Sequence, residues 1–351
     1  MRLIISIIFL GLVSCGTSET PKAYVTSQKG GITVIDIASK EVISEINIES
    51  SGPRGIGISS DGKYLITANK GDANLSIIDR SSEEVVHQVE VGKNPEFIRV
   101  FNDLVFVSTE PASTGKPPAE KKEMEAKDDD DDDDDDDRTP AQIAVVDIKQ
   151  AKKLREIQGG PETEGIEFNL EEDKIIVTNE ADNTITVHDL TSGDLLKTID
   201  VEPYGDRPRG IKMSPKGDIY VSTLEHSDNF IVLDKDFNHQ QTIETGKNPY
   251  GISFDMTGDR LFVASSKAKL LEVFDANDFS KIKDIPLDGK RCWHFTFTPD
   301  NSELLMACGR SDELVVVDIK SLEVTGRIPV QGIPWGVVTY PKSIGSLDDL
   351  R

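Results

Sequence analysis

Several residues that could form a binding site occupy the variable position of a recurring Pro-x-Gly-like motif. This group combines two arginines, two glutamates and three large aromatic residues: Arg54, Glu96, Glu164, Arg209, Tyr250, Trp293 and Trp335. We call them the rim residues, and His294 follows Trp293 directly. Arginine binds carboxylates and phosphates through paired hydrogen bonds, and aromatic rings stack on planar ligands. We interpret the rim residues and His294 as a candidate site for a small ligand or a protein partner. The alternative is that the arginines and glutamates pair with one another and the aromatic rings fill space.

The sequence contains no motif that is typical of a known catalytic or metal-binding chemistry. It has no Gly-x-Ser-x-Gly segment, no His-x-His pair and no EF-hand loop, and its five histidines are scattered. We therefore predict a protein without catalytic residues or a cofactor, and we leave a metal site open.

A run of ten aspartates, Asp128–Asp137, lies within a segment rich in Pro, Lys and Glu. Such a composition cannot bury a core, so residues 111–140 are predicted to form a disordered acidic insertion. The run could capture Ca²⁺ weakly, since adjacent carboxylates attract cations but lack fixed geometry. The alternative is a solvated charge run without a specific function. The net charge of −24 argues against a nucleic-acid partner, because phosphates would be repelled.

The elements that must position the rim residues form a repeat. Seven apolar strands each end in aspartate, at Asp36, Asp79, Asp147, Asp189, Asp234, Asp275 and Asp318. The intervals are 43, 68, 42, 45, 41 and 43 residues, and the long interval contains the insertion. Units of this length with four short β-rich segments predict an all-β fold, a seven-bladed β-propeller with four antiparallel strands per blade. Because an aspartate occurs in every unit, we interpret these residues as structural.

The order of the strands predicts how the ring closes. The chain begins with three strands of a blade, and residues 335–340 supply the missing first strand. Such closure leaves no exposed sheet edge within the blade ring. We predict a monomeric propeller over residues 22–341 and a C-terminal tail over 342–351. The Pro-x-Gly connections of a propeller gather at the mouth of its central channel, so the rim residues should converge there.

The N-terminus has the features of an export signal. Arg2 precedes the apolar stretch Leu3–Val13, which is too short for a membrane span. Leu12–Gly16 resembles the bacterial lipobox, so we predict a signal peptide over 1–14, a lipidated Cys15 and a tether over 15–21. A lipid anchor would hold the protein on a membrane of the cell envelope. The alternative is an ordinary secretory signal with a chance cysteine.

Two further cysteines, Cys292 and Cys308, flank a predicted hairpin at similar distances. In an oxidising compartment they could form a disulfide. Two buried free thiols are the alternative, because a one-residue change of strand register would separate the side chains.

Several segments resemble the YVTN-type β-propeller repeat: Ala23–Ser27, Ile176–Asn179 and Ile219–Ser222. Within that group, four segments are most similar to the β-propeller proteins associated with PQQ-dependent catabolism: Gly160–Ile166, Asp206–Ile211, Gly289–Trp293 and Ile333–Val338. The resemblance implies an extracytoplasmic propeller without an established reaction. We therefore expect a lipid-anchored, non-enzymatic scaffold that binds a ligand or protein at the rim. The alternatives are a lactonase-like hydrolase, since related seven-bladed propellers include lactonases, and an accessory protein of a periplasmic quinoprotein system.

The lipobox predicts that Cys15 anchors the protein. We expect Cys15→Ser to move the protein from the membrane fraction to the soluble fraction, because the acyl chains would be lost. Fractionation followed by immunoblotting measures the distribution. Unchanged membrane association of the variant would refute the anchor.

Overall fold

The computed structural model describes residues 19–111 and 139–350. In chain order, the first three strands are β1 (Lys22–Ser27), β2 (Ile32–Asp36) and β3 (Glu41–Ile46). The next eight form two blades: β4 (Pro53–Ile58), β5 (Tyr64–Asn69), β6 (Asn74–Asp79), β7 (Glu84–Glu90), β8 (Pro95–Phe101), β9 (Leu104–Thr109), β10 (Gln142–Asp147) and β11 (Lys152–Gln158). Two more blades follow: β12 (Thr163–Phe168), β13 (Lys174–Asn179), β14 (Thr184–Asp189), β15 (Leu195–Asp200), β16 (Pro208–Met213), β17 (Ile219–Leu224), β18 (Asn229–Asp234) and β19 (His239–Glu244).

The remaining strands are β20 (Pro249–Phe254), β21 (Arg260–Ser265), β22 (Leu270–Asp275), β23 (Lys281–Pro286), β24 (Cys292–Phe297), β25 (Glu303–Cys308), β26 (Glu313–Asp318), β27 (Glu323–Pro329) and β28 (Pro334–Tyr340). Short 3₁₀ turns lie at Glu225–Ser227 and Gly309–Ser311. The described strands form seven antiparallel sheets of four strands, which confirms the predicted seven-bladed propeller.

The seventh blade is built from both ends of the chain. Its strand order is β28-β1-β2-β3, and Tyr24 of β1 lies opposite Val338 of β28. The N-terminal strands therefore close the ring on the C-terminal strand, as the strand order predicted.

Burial follows the position of a strand within its blade. The inner three strands of each blade are almost continuously buried, whereas outermost strands such as β11 and β27 alternate between exposed and covered residues. Neighbouring blades cover both faces of the inner strands, so those strands are apolar without alternation.

The seven aspartates that end the third strands have a structural role. Each accepts a hydrogen bond from a backbone amide in the turn that follows, as in Ser39 N–H to Asp36 Oδ1 at 2.8 Å. An aspartate at this position stabilises the tight turn through such local bonds.

Glycine after the rim residue lets the innermost strands approach one another. A Cβ added to Gly55 would lie 2.4 Å from the carbonyl oxygen of Glu96, and one added to Gly165 would lie 2.5 Å from that of Arg209. Gly251 has the same relation to Trp293 in the next blade. Only glycine fits at such distances, so the rim residues of successive blades are held close together.

The C-terminal residues return into the central channel. Leu347 is only 1% exposed, and its carbonyl accepts a hydrogen bond from Arg99 at 3.1 Å. Lys212 donates to the carbonyl of Asp348 at 3.0 Å, and Ser346 hydrogen-bonds the backbone of Phe295. The segment that the sequence presented as a tail thus occupies the central channel beneath the rim residues, where Leu347 joins the buried cluster of Tyr250, Trp293 and Trp335.

Cys292 and Cys308 form a disulfide in the structure, with their Cα atoms 3.9 Å apart. They are direct partners on β24 and β25, so the register that the sequence left open places the two side chains together.

The predicted signal peptide, Cys15 and the Asp128–Asp137 run lie outside the described residues. Within the described ranges, none of the helices combines the length and the apolar character that a membrane crossing requires.

Two truncations separate ring closure from filling of the channel. A chain ending at Val330 lacks β28 and exposes β1 as an edge, so we expect it to lose a cooperative unfolding transition. A chain ending at Pro341 keeps β28 but leaves Arg99 and Lys212 without their C-terminal partners, so we expect a loss of about 3–5 kcal/mol. Thermal and urea denaturation measure both, and equal stability of the two truncated chains would contradict the closure.

Candidate functional site

The structure brings most of the rim residues together at the mouth of the channel. Arg54 forms an ion pair with Glu96, and Arg209 forms one with Glu164 at 2.5 Å. The Tyr250 hydroxyl donates to Glu164 at 2.7 Å. The rim residues therefore pair with one another across blades, which is one of the two arrangements that the sequence left open.

The aromatic residues divide into two groups. The His294 ring lies 4.3 Å from the Trp335 ring and 5.3 Å from the Tyr250 ring, measured between centroids. Trp293 instead has Arg291 over its ring at 5.6 Å and packs against Gly309. Tyr250, His294 and Trp335 thus form one aromatic wall, and Trp293 is buried in the same apolar cluster with its ring beside Gly309.

Three glutamates form the most compact acidic cluster at the mouth, and we call them the glutamate triad: Glu96, Glu110 and Glu164. One carboxylate oxygen from each lies within 4.8 Å of the other two, and all three side chains are buried. Glu96 and Glu164 are rim residues on β8 and β12, whereas Glu110 directly follows β9. Glu110 is not one of the predicted site residues.

A second set of ion pairs adjoins the glutamate triad. Arg209 contacts Glu180 and also Glu225, with 2.5 Å between Nε and Oε2. Arg207 contacts Glu180 at 2.6 Å. Glu180 and Glu225 follow the second strands of their blades, so residues after these strands meet the rim residues of neighbouring blades. Arg207 was not among the predicted site residues, although it lies two positions before Arg209.

Burial and neighbouring charges separate the protonation of these carboxyls. Burial opposes ionisation of Glu96, but Arg54, Lys70 and a hydrogen bond with Glu110 together outweigh it and lower the pKa of Glu96 to about 2. Burial, together with the charges of Glu96 and Glu164, raises the pKa of Glu110 well above its ordinary value. Burial likewise raises the pKa of Glu180. The mouth therefore holds more carboxyl groups than its arginines can keep ionised.

His294 is 2% exposed and its ring orientation is set by the C-terminal segment. Its Nδ1 lies 3.1 Å from Ser346 Oγ. That hydroxyl donates to the carbonyl of Phe295 and accepts from the Phe295 amide. Burial lowers the pKa of His294 to about 3, so the ring is neutral.

A buried charge network lies deeper in the channel, and sequence reasoning missed it. Arg99 contacts Glu167 at 2.9 Å and Asp349 at 2.5 Å, and Lys212 on β16 lies 3.9 Å from the same Glu167 carboxylate. Arg99, Glu167 and Lys212 each stand three positions after the rim residue of their strand. The other blades have Gly57, Ser253, Thr296 and Val338 at this position. The charged exceptions at this repeat position could have revealed the network.

Comparisons with known proteins identify the fold. No family model matches the chain, and no curated protein matches it. A functionally unknown protein from Desulfotomaculum acetoxidans has 15% identity and a TM-score of 0.73, with 91% of this chain and 98% of that one covered. The periplasmic gluconolactonase of Pseudomonas aeruginosa has 16% identity and a TM-score of 0.72, with 91% and 98% covered. A candidate 6-phosphogluconolactonase from Bacteroides uniformis has 17% identity and a TM-score of 0.73, with 92% and 100% covered.

These structures correct the prediction that the chain is not an enzyme. That prediction relied on missing motifs and on a family resemblance that implies no established reaction, yet the same fold is found in a gluconolactonase. On a propeller, the residues of a site come from separate blades, so the absence of a linear motif does not exclude catalysis. At these identities the likeness itself establishes only the fold.

The network around Lys212 predicts a change of stability with pH. Burial and the neighbouring Arg99 lower the pKa of Lys212 from 10.5 to about 8, against the opposing charges of Glu167, Asp348 and Asp349. Between these values the unfolded chain binds a proton that the folded chain has released, so stability rises with pH.

We expect Lys212→Met to remove this rise, which amounts to about 1.4 kcal/mol per pH unit. Urea denaturation at pH 7 and pH 9.5 measures it, with Lys216→Met as an exposed control. Identical pH dependence of Lys212→Met and the wild-type protein would contradict the assignment.

Proposed function

We propose that the protein hydrolyses lactones at the mouth of the propeller channel. The observation that carries this proposal is the buried glutamate triad, which lies beside Arg54 and Arg209 and next to the aromatic wall of Tyr250, His294 and Trp335. Carboxylates that can accept a proton, next to cations and an apolar surface, supply the groups that ester hydrolysis requires.

Hydrolysis of a lactone needs a base that activates water. Glu96 suits this role, because Arg54 pairs with its Oε1 and helps to keep the carboxylate ionised. The ionised carboxylate takes a proton from water as the oxygen attacks the carbonyl carbon. The ring C–O bond then breaks, and Glu96 returns the proton to the departing ring oxygen, which gives the free hydroxy acid.

The negative charge that develops on the carbonyl oxygen needs a fixed positive partner. Arg54 fits this requirement: its Nε is buried without a hydrogen-bond partner in the described part of the chain, while its side chain is 20% exposed. A preorganised cation in a dry site stabilises such an oxyanion more strongly than water does. Arg54 therefore orients Glu96 and also offers a donor to the substrate.

The aromatic wall gives a reason for cyclic substrates. Tyr250 and Trp335 belong to different blades, and both rings lie within 5.3 Å of the ring of His294. Aromatic rings pack well against flat or cyclic ligands. The gluconolactonase of the same fold supports a sugar lactone as the first substrate class to examine. The lipobox at Cys15 would place this reaction at the cell envelope.

The proposal is tested with glucono-1,5-lactone in a pH-stat assay near pH 6, where acid release measures turnover above the spontaneous rate. We expect Glu96→Gln and Arg54→Gln each to lower kcat by about 100-fold or more, through loss of the base and of the oxyanion donor. Glu202→Gln removes an exposed carboxylate and should leave kcat unchanged.

Two outcomes would count against the proposal. A folded wild-type protein that turns over none of a panel of five- and six-membered lactones would exclude the reaction. Full activity in a folded Glu96→Gln variant would show that the triad is not the site.

A further inference from the structure

The direction of the strands distinguishes the two faces of the ring. The innermost strand β28 begins at the mouth with Pro334 and ends with Tyr340 on the opposite face, which we call the far face. β1 is antiparallel to β28, so Lys22 at its start pairs with Tyr340 and Ser27 at its end pairs with Pro334. The chain therefore enters the propeller on the far face, and the rim residues lie on the other face.

Arg80 holds Glu19 on the far face. The Glu19 carboxylate contacts both terminal nitrogens of the Arg80 guanidinium, with 2.9 Å between Nη2 and Oε2. Arg80 is itself fixed, because its Nε donates to the Gly62 carbonyl at 2.6 Å and its guanidinium lies 3.6 Å from the centre of the Tyr340 ring. An arginine–carboxylate pair with two contacts has a defined direction, unlike most surface ion pairs. Glu19 is therefore a fixed point on the far face.

The predicted lipidation site is too close to Glu19 to reach the mouth. Cys15 lies four residues before Glu19. An extended chain covers at most about 3.6 Å per residue, so the lipidated residue can be no more than roughly 14 Å from Glu19. The strands rise about 3.3 Å per residue, which puts the mouth roughly 20 Å from the far face. A lipid on Cys15 would therefore enter the membrane beside the far face.

The ion pair of Glu19 with Arg80 also limits how far the ring can tilt. Without it, the tether would run from Cys15 to Lys22, where β1 begins, and seven residues span up to about 25 Å. That length would allow the ring to turn its side or its mouth toward the membrane. The ion pair shortens the tether to four residues and keeps the far face close to the lipid.

We propose that the lipid anchor and the Glu19–Arg80 ion pair together hold the far face against the membrane, so that the channel mouth opens into the water on the other side. The seven turn aspartates end the third strands on the far face, so anionic headgroups would not attract this face and the anchor has to hold it there. The site at the mouth would then receive water-soluble ligands. The orientation depends on lipidation of Cys15 and not on the proposed reaction.

Energy transfer from a labelled cysteine to acceptor lipids measures the orientation. The lipidated full chain is purified in detergent and bound to phosphatidylcholine vesicles that contain a rhodamine-headgroup lipid. Lys320→Cys places a fluorophore on the far face, and Lys267→Cys places one on the mouth face, both at exposed positions. With Cys15 acylated and Cys292 bonded to Cys308, the introduced thiol is the one that reacts. We expect about twofold or more transfer from Lys320→Cys relative to Lys267→Cys, because the labels differ in height by roughly 20 Å.

Glu19→Lys tests the ion pair in the same assay. The new positive charge repels Arg80 and lengthens the tether, so we expect the difference between the two labels to shrink by about half or more. Glu202→Lys makes the same charge change at an exposed position elsewhere on the ring and should leave the difference unchanged. A difference that Glu19→Lys does not alter would overturn the role of the ion pair.

Equal or reversed transfer from the two labels in the otherwise unchanged protein would overturn the orientation. Vesicle binding that is equally strong in Cys15→Ser would overturn the anchor on which the orientation depends. None of these measurements involves lactone turnover, so the orientation and the proposed reaction succeed or fail separately.

Discussion

The close approach of seven innermost strands around one axis is the constraint on which the rest of the structure depends. Glycines such as Gly55, Gly165 and Gly251 leave room for the carbonyl oxygen of the next blade, at distances that no side chain could tolerate. The strands can therefore surround a narrow channel, and their first residues meet at its mouth. Phe97 and His294 stand where other blades have this glycine, and their rings meet edge to face with centroids 6.0 Å apart.

The narrow channel forces charged side chains into contact with one another. Burying an ion is costly unless an opposite charge and hydrogen bonds compensate it. Arg209 meets this requirement by contacting three glutamates, and Arg99 does so deeper in the channel with Glu167 and Asp349. The C-terminal segment completes the deeper network. It also contacts His294 beneath the rim, where Ser346 Oγ lies 3.1 Å from Nδ1 of the ring.

Function on this fold depends on where the blades differ, because the parts that repeat maintain the ring. The side chains of the seven turn aspartates accept hydrogen bonds from backbone amides, so their role is to stabilise the turns. The glutamate triad is different: it draws two residues from one blade and one from the next, and it has no counterpart repeated in each unit. The occurrence of the same fold in a periplasmic gluconolactonase shows that this fold is compatible with catalysis.

The sequence by itself determined the number of blades, the order of their strands, the closure by both termini and the identity of the rim residues. These follow from a period of about 43 residues and from local turn chemistry, both of which depend on neighbours along the chain. The tertiary structure alone decided that Glu110 joins Glu96 and Glu164, that Trp293 packs on Gly309, that Cys292 faces Cys308, and that Leu347 enters the channel. Those contacts join residues from different strands and blades, and their register and depth are set by packing around the axis, which no local pattern encodes.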